Sequence, residues 1–240
     1  MLNILKSDFY KMRKSKTFLF SMVGCVAFAI LVTVTMRVEP DMFEYFGGTG
    51  ALIGNIPSLM HIYATAAFVA IFISSEFRNG TIKNIISRGT GRIVVVFSKF
   101  IVCSIGAITI MIVFMVALVA MGTILMGFDP NGILSISGLV KIIALQGLTA
   151  IGFTALFALM TMTIRNLGGA IAANFAWVAI AIFIFGVIDI GEFWLAWNVF
   201  TFSTFSIYTA DVVHGIVLAL SWIVLTMLLS TATFAKRDIK

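Results

Sequence analysis

The stretch FIVCSIGAITIMIVFMVALVAMGTILMGF, residues 100–128, contains no charged side chain. An α-helix needs about 20 apolar residues to cross a hydrocarbon core of about 30 Å, so this stretch is long enough to span a membrane. Soluble domains do not repeat such runs, because their surface helices present a charged face to water. Here the pattern recurs, which predicts an all-α polytopic membrane protein. The other uncharged runs are residues 17–36, 45–75, 142–164, 166–188, 193–210 and 212–235.

The composition supports the same fold class. Of 240 residues, 61% are hydrophobic and 11% are charged, whereas soluble domains carry about 25% charged residues. The length suits one membrane domain, residues 1–240, and leaves no room for a soluble catalytic domain. Cys25 and Cys103 are isolated, so their spacing indicates no metal site.

Six membrane spans account for these runs, with an uncertainty of about three residues at each end. The glycine-rich residues 47–50 before the second span are typical of a loop. The predicted spans are residues 17–36, 57–75, 100–127, 139–164, 168–188 and 213–234.

The basic residues predict the orientation. Short cytoplasmic segments retain Lys and Arg, and cytoplasmic termini place every one of the 16 basic residues except Arg37 and Lys141 on the inner side. A seventh span at residues 193–210 would move the basic residues of the C-terminus to the outer side. That segment is rich in aromatic residues, which favour the membrane interface, so we expect a re-entrant or interfacial outer element there. The basic charge is thus explained without a nucleic-acid partner.

Two inner segments have the pattern of short helices. In residues 1–16, an apolar stripe of Leu2, Leu5, Phe9 and Met12 predicts an amphipathic helix along the inner membrane surface. In residues 76–92, Thr81 can cap a helix, and Gly89 can end it in a left-handed conformation. The apolar face of this second helix consists of Ile82, Ile85 and Ile86, and the nearby basic side chains are Arg78, Lys83, Arg88 and Arg92.

The second segment, EFRNGTIKNIISRGTGR, resembles the membrane subunits of ABC-2 type ATP-binding cassette transporters. It has their E-x-x-x-G-T-I-K start and S-R-G-T-x-R end. The chain is similar in size to small permeases that export antimicrobial peptides, including lantibiotic-immunity exporters. The resemblance implies a permease in the bacterial cytoplasmic membrane that moves amphipathic or antimicrobial peptides outward.

The resemblance also implies partners. The sequence contains no G-x-x-x-x-G-K-[ST] phosphate loop, so this chain would hold no cofactor and would not itself be an enzyme. ATP and Mg²⁺ would bind to two copies of a separate cytoplasmic ATPase, and a second permease subunit, identical or related, would complete the transporter within the membrane lipid. The coupling helix that contacts the ATPase would consist of Thr81, Ile82, Lys83, Ile85, Ile86 and Arg88.

A few polar residues are further candidates. Glu76 can form an ion pair with Arg78 or Arg165 near the inner ends of the spans. Gln146 and Asn174 lie within spans, where such side chains hydrogen-bond between helices or line a polar cavity. The sequence contains no H-E-x-x-H or G-x-S-x-G catalytic motif. It also lacks the ligand spacing of a metal site.

Two other functions stay open. An ion-gradient-driven secondary transporter usually embeds ionisable residues in its spans. Apart from Lys141 at the start of the fourth span, the predicted spans contain only His61 and His214 as proton-binding candidates, near their ends. This favours an external energy source. A non-transporting immunity or scaffold protein is the third class.

Overall fold

The computed structural model describes residues 2–38, 48–55, 60–128, 136–187 and 212–236, and the regular structure within these ranges is helical. The predicted outer element at residues 193–210 and the start of the second span at Pro57 lie outside them. The helices are α1 (Leu2–Lys14), α2 (Lys16–Val38), α3 (Gly48–Asn55), α4 (Met60–Arg78), α5 (Thr81–Ser87), α6 (Arg92–Met126), α7 (Ile136–Ile164), α8 (Leu167–Val187) and α9 (Val212–Lys236).

Among the described residues, four helices are long and apolar enough to cross a membrane: α2, α4, α6 and the Ile143–Ile164 part of α7. Shorter apolar stretches lie in α8, at Leu167–Ile180, and in α9, at Ala219–Phe234. The all-helical membrane architecture is therefore confirmed. The number of spans and the side on which the termini lie remain predictions.

Helix α6 forms the centre of the bundle. It packs against α1, α2, α3, α4, α7 and α9, while α4 also contacts α2, α7 and α8. Large side chains such as Phe68, Phe114 and Phe157 fill the core between these helices. Several buried threonine hydroxyls donate to carbonyls one turn earlier in their own helix, as Thr154 does to Ala150 at 2.7 Å, so these hydroxyls need no partner elsewhere.

The prediction of a glycine-rich loop at residues 47–50 is wrong in part, because Gly48–Asn55 forms helix α3. Its first N–H groups, which have no partner within a helix, are satisfied by carbonyls that follow α6. Gly48 N donates to Gly127 O at 2.8 Å, and Thr49 N donates to Phe128 O at 3.1 Å. A Cβ on Gly122 would lie 2.8 Å from Gly48 Cα. The glycines thus permit close helix packing.

Two helix ends also differ from the predicted spans. Helix α4 continues to Arg78 and includes Glu76, and α6 begins at Arg92 and includes Lys99. These residues were expected to mark the ends of apolar spans. Both side chains are instead buried within helices, because charged partners on other helices surround them.

Candidate functional site

Two charged features meet at the C-terminal end of α4. Successive residues of an α-helix are about 100° apart around its axis, so Glu76 faces away from Ser74 and Arg78. Glu76 points towards α1 and α6, where it forms ion pairs. Ser74 and Arg78 line a cavity towards α5 and the turn between α7 and α8. The helix therefore separates an ion network from a basic cavity.

The ion network joins α1, α4 and α6. Lys99 Nζ lies 2.7 Å from Asp8 Oδ1 and is also in direct contact with Glu76 Oε2. Lys11 Nζ lies 3.1 Å from Glu76 Oε1 and 3.7 Å from Asp8 Oδ1. Ser98 Oγ donates to Asp8 Oδ2 at 2.9 Å. Two carboxylates and two ammonium groups thus balance in formal charge across three helices.

Burial makes this balance necessary. Asp8 and Lys99 are each 0% exposed and Glu76 is 5% exposed, while the Lys11 side chain is partly exposed. A buried charge without a partner costs several kcal/mol, so each member of the network depends on the others. The network fixes the amphipathic helix α1 to the bundle at one register.

The predicted partners of Glu76 are wrong, because the ammonium groups that contact it belong to Lys11 and Lys99. Sequence reasoning also missed Asp8. One signal was present: Asp8 lies on the same stripe of α1 as Leu5 and Met12, where an acidic side chain interrupts an apolar face. Lys99 precedes the predicted third span, residues 100–127, yet it lies within helix α6.

Helix α5 follows α4 after a tight turn. Its N-cap is Gly80, in a left-handed conformation with φ of 67°, and no side chain caps the helix. The prediction that Thr81 caps it is therefore wrong. Gly89 has a φ of 85°, which confirms the left-handed stop, and its N–H donates to Ile86 O at 3.0 Å.

The two faces of α5 have different surroundings. Ile82 is 1% exposed within the core of this subunit, and Ile85 and Ile86 are half-buried against that core. This differs from the expected isoleucine face for a partner, because the isoleucines hold α5 to its own bundle. The exposed side chains are those of Lys83, Asn84, Ser87 and Arg88, so the outward surface is polar and basic.

The cavity beside α5 has a volume of about 520 Å³. Arg78 and Lys83 line it from one side, and Arg165 lines it from the turn between α7 and α8. The Arg165 guanidinium lies 5.6 Å from the centre of the Phe77 ring. This arginine has a φ of 59°, a conformation that is uncommon outside glycine.

The remaining predicted residues lie between helices, away from this end. Asn174 is fully buried, and its Nδ2 donates to Ala66 O at 3.4 Å and to Thr161 Oγ1 at 3.3 Å. It thereby links α8 to α4 and α7. Gln146 is buried in α7.

Comparison with known proteins identifies the family. The model of the family described as "ABC-2 family transporter protein" matches residues 4–177, more than half of the chain. The chain belongs to the ABC-2 family of transporter proteins. A search of curated proteins found no match. The family match runs from within α1 to about the middle of α8, so both the ion network and α5 lie within the matched residues.

Family membership identifies the chain as a membrane permease of an ABC transporter and confirms the resemblance seen in residues 76–92. Members of this family are permease subunits that associate with an ABC ATPase, which carries the catalytic activity. The exposed basic surface of α5 in this ABC-2 permease is therefore the first candidate for that contact.

Proposed function

We propose that this permease is the membrane subunit of an ATP-driven exporter and that a separate ATPase binds to the exposed surface of α5. The observation that carries the proposal is the pair of exposed cations, Lys83 and Arg88, on a short helix at the tip of α4. Charged groups at the rim of an interface steer association and determine the register of the partners. An acidic surface on the ATPase would complement them.

The attachment of α5 supports a coupling role. Only Asn79 and Gly80 separate it from α4, and Ile82 anchors it in the core. A displacement of α5 by the ATPase would therefore move the end of α4. From there, Glu76 contacts Lys99 of α6 and Lys11 of α1, so three helices would respond as one unit.

The energy for this movement would come from the partner. ATP with Mg²⁺ would bind to two ATPase copies, and their closure would favour one arrangement of the permease over the other. A partner shifts such an equilibrium only by its difference in affinity for the two arrangements. The ion network defines one arrangement, because separating α1 from α4 and α6 would leave buried charges unpaired.

The proposed assembly contains a second permease, identical or related. Six spans with cytoplasmic termini, in the cytoplasmic membrane of a bacterium, would place α5 on the side where ATP is present. The distribution of basic residues supports this topology. Amphipathic or antimicrobial peptides are the proposed cargo, supported by the resemblance of residues 76–92 and by the apolar helices.

The buried network favours one alternative. Ionisable groups embedded among membrane helices are typical of ion-gradient-driven carriers, and Asp8, Glu76 and Lys99 meet that description. Such a carrier would need no ATPase. Transport that persists without ATP and stops when a protonophore collapses the proton gradient would support it over the exporter.

The test is purification of the tagged permease from its native membranes. We expect a protein with a phosphate-loop sequence to co-purify, together with vanadate-sensitive ATP hydrolysis. The variant Lys83→Glu/Arg88→Glu should lose both while inserting normally into the membrane. The matched control Arg37→Glu/Lys141→Glu also reverses two exposed charges, in segments predicted to lie on the opposite side. Retention of the ATPase by the α5 variant would contradict the proposal.

A further inference from the structure

We propose that the basic cavity between α4, α5 and the turn between α7 and α8 binds a phosphate-bearing anion. The source is either the headgroup of an anionic phospholipid or free phosphate, and these share the chemistry that the cavity recognises. This site is separate from the outward surface that we assign to the ATPase, although Lys83 borders both. Failure of ATPase binding would leave it standing.

The charge of the cavity is the first argument. Arg78, Lys83 and Arg165 line it, and the described residues of its lining include no acidic side chain. Glu76, the nearest carboxylate along α4, is held on the opposite face of the helix by Lys11 and Lys99. Arg78 and Lys83 are exposed, and like charges that share one cavity repel each other. A bound anion reduces this repulsion.

A buried donor is the second argument. Ser74 lines the cavity and is 2% exposed. Within the part of the chain that the structure describes, its hydroxyl has no hydrogen-bond partner. A buried polar group without a partner is costly, and an anion in the cavity supplies an acceptor for this hydroxyl.

The position of Arg165 is the third argument. Its guanidinium lies over the Phe77 ring, and that ring and the Phe234 ring form a T-shaped contact, with their centres 6.2 Å apart. An arginine held in this way loses less freedom when it binds, and its planar fork matches two phosphate oxygens. Basic pockets between membrane helices bind the headgroups of anionic lipids. The apolar wall formed by Phe77, Ile82 and Leu167 suits the glycerol end of such a lipid.

The experiment measures anion retention by the purified, full-length permease. The protein is placed in nanodiscs with equal amounts of phosphatidylglycerol and phosphatidylcholine, and native mass spectrometry reports the lipid that remains bound. Inorganic phosphate is titrated as a second probe. We expect one retained phosphatidylglycerol, or saturable binding of phosphate. Phosphatidylglycerol retention that phosphate does not displace identifies the headgroup, whereas displacement by phosphate identifies the free anion.

Two variants and a matched control test the assignment. Arg165→Gln should weaken retention about tenfold, the effect of losing one charge-assisted contact. Ser74→Ala is a small change in a buried position and should weaken it about threefold, the effect of losing a neutral hydrogen bond. Arg13→Gln, which removes an exposed arginine of α1, should change nothing.

Three outcomes overturn the proposal. The first is a wild type that shows no preference between the two lipids and no phosphate binding. The second is a loss of retention in Arg13→Gln as large as that in Arg165→Gln. The third is an Arg165→Gln variant that keeps anion binding and loses ATPase co-purification instead, which would make the cavity a protein-docking site.

Discussion

The ion network leads to a prediction about Lys99. The variant Lys99→Met keeps the length and apolar stem of the side chain and removes the ammonium group that contacts both Asp8 and Glu76. Lys11 alone then faces two carboxylates, at 3.7 Å and 3.1 Å. The buried cluster gains one uncompensated negative charge.

The magnitude follows from the burial of the carboxylates. Removing one partner of a buried ion pair costs about 3–5 kcal/mol. The partly exposed Lys11 and the hydroxyl of Ser98 continue to stabilise the carboxylates, which places the expected loss near the lower limit, at about 3 kcal/mol. Lys99→Met/Glu76→Gln restores the charge balance and should recover most of this loss, because neutral replacements of buried pairs are close to neutral in free energy.

The assay is reversible unfolding of the purified permease in bicelles, with the free energy of unfolding obtained for each variant. Lys14→Met, which removes an exposed lysine of α1, is the matched control and should behave as the wild type. Equal stability of Lys99→Met and the wild type would refute the reasoning. So would a double variant that is no more stable than the single one, since charge balance would then not be the cause.

Three further substitutions test the packing and the helix ends. Gly106→Ala places a Cβ 2.6 Å from the Phe68 ring and should lower the free energy of unfolding by about 1–3 kcal/mol. The control Gly24→Ala, with no atom within 4 Å of the new Cβ, should not lower it. Equal effects of the two variants would contradict the close packing at Gly106. Asn174→Ala removes the side-chain link to two helices and should cost about 1 kcal/mol in the same assay, and an unchanged value would contradict its role. Thr81→Ala should leave stability and ATPase co-purification unchanged because Thr81 caps nothing, and a clear loss of stability would show that it does.

The sequence carried enough information for the helices but not for their charged contacts. Uncharged runs predict membrane helices because the hydrocarbon core penalises charge along a whole span. The same rule treats Lys99 and Glu76 as markers of span ends. It does not predict which charges on other helices neutralise them, because Asp8 is distant from both of these residues along the chain. Such pairing depends on tertiary packing.

The structure of two short segments also depends on tertiary contacts that the sequence does not show. Residues 47–50 have the composition of a loop, yet helix α3 begins at Gly48 because carbonyls beyond α6 accept its first N–H groups. For α5, the sequence predicted the helix and its glycine stop, since both are local features. The sequence does not show which face of the helix this subunit covers, and Ile82, an expected partner contact, lies in the core.

The most direct measurement is the accessibility of Lys83→Cys to a membrane-impermeant maleimide. Both native cysteines are fully buried, so their background labelling should be low. We expect no labelling in intact cells and labelling in inside-out vesicles, with the labelling increasing after peripheral proteins are stripped from the vesicles. Arg37→Cys should show the opposite sidedness. Labelling of Lys83→Cys from outside intact cells, or labelling in vesicles that stripping does not change, would contradict a cytoplasmic ATPase on α5.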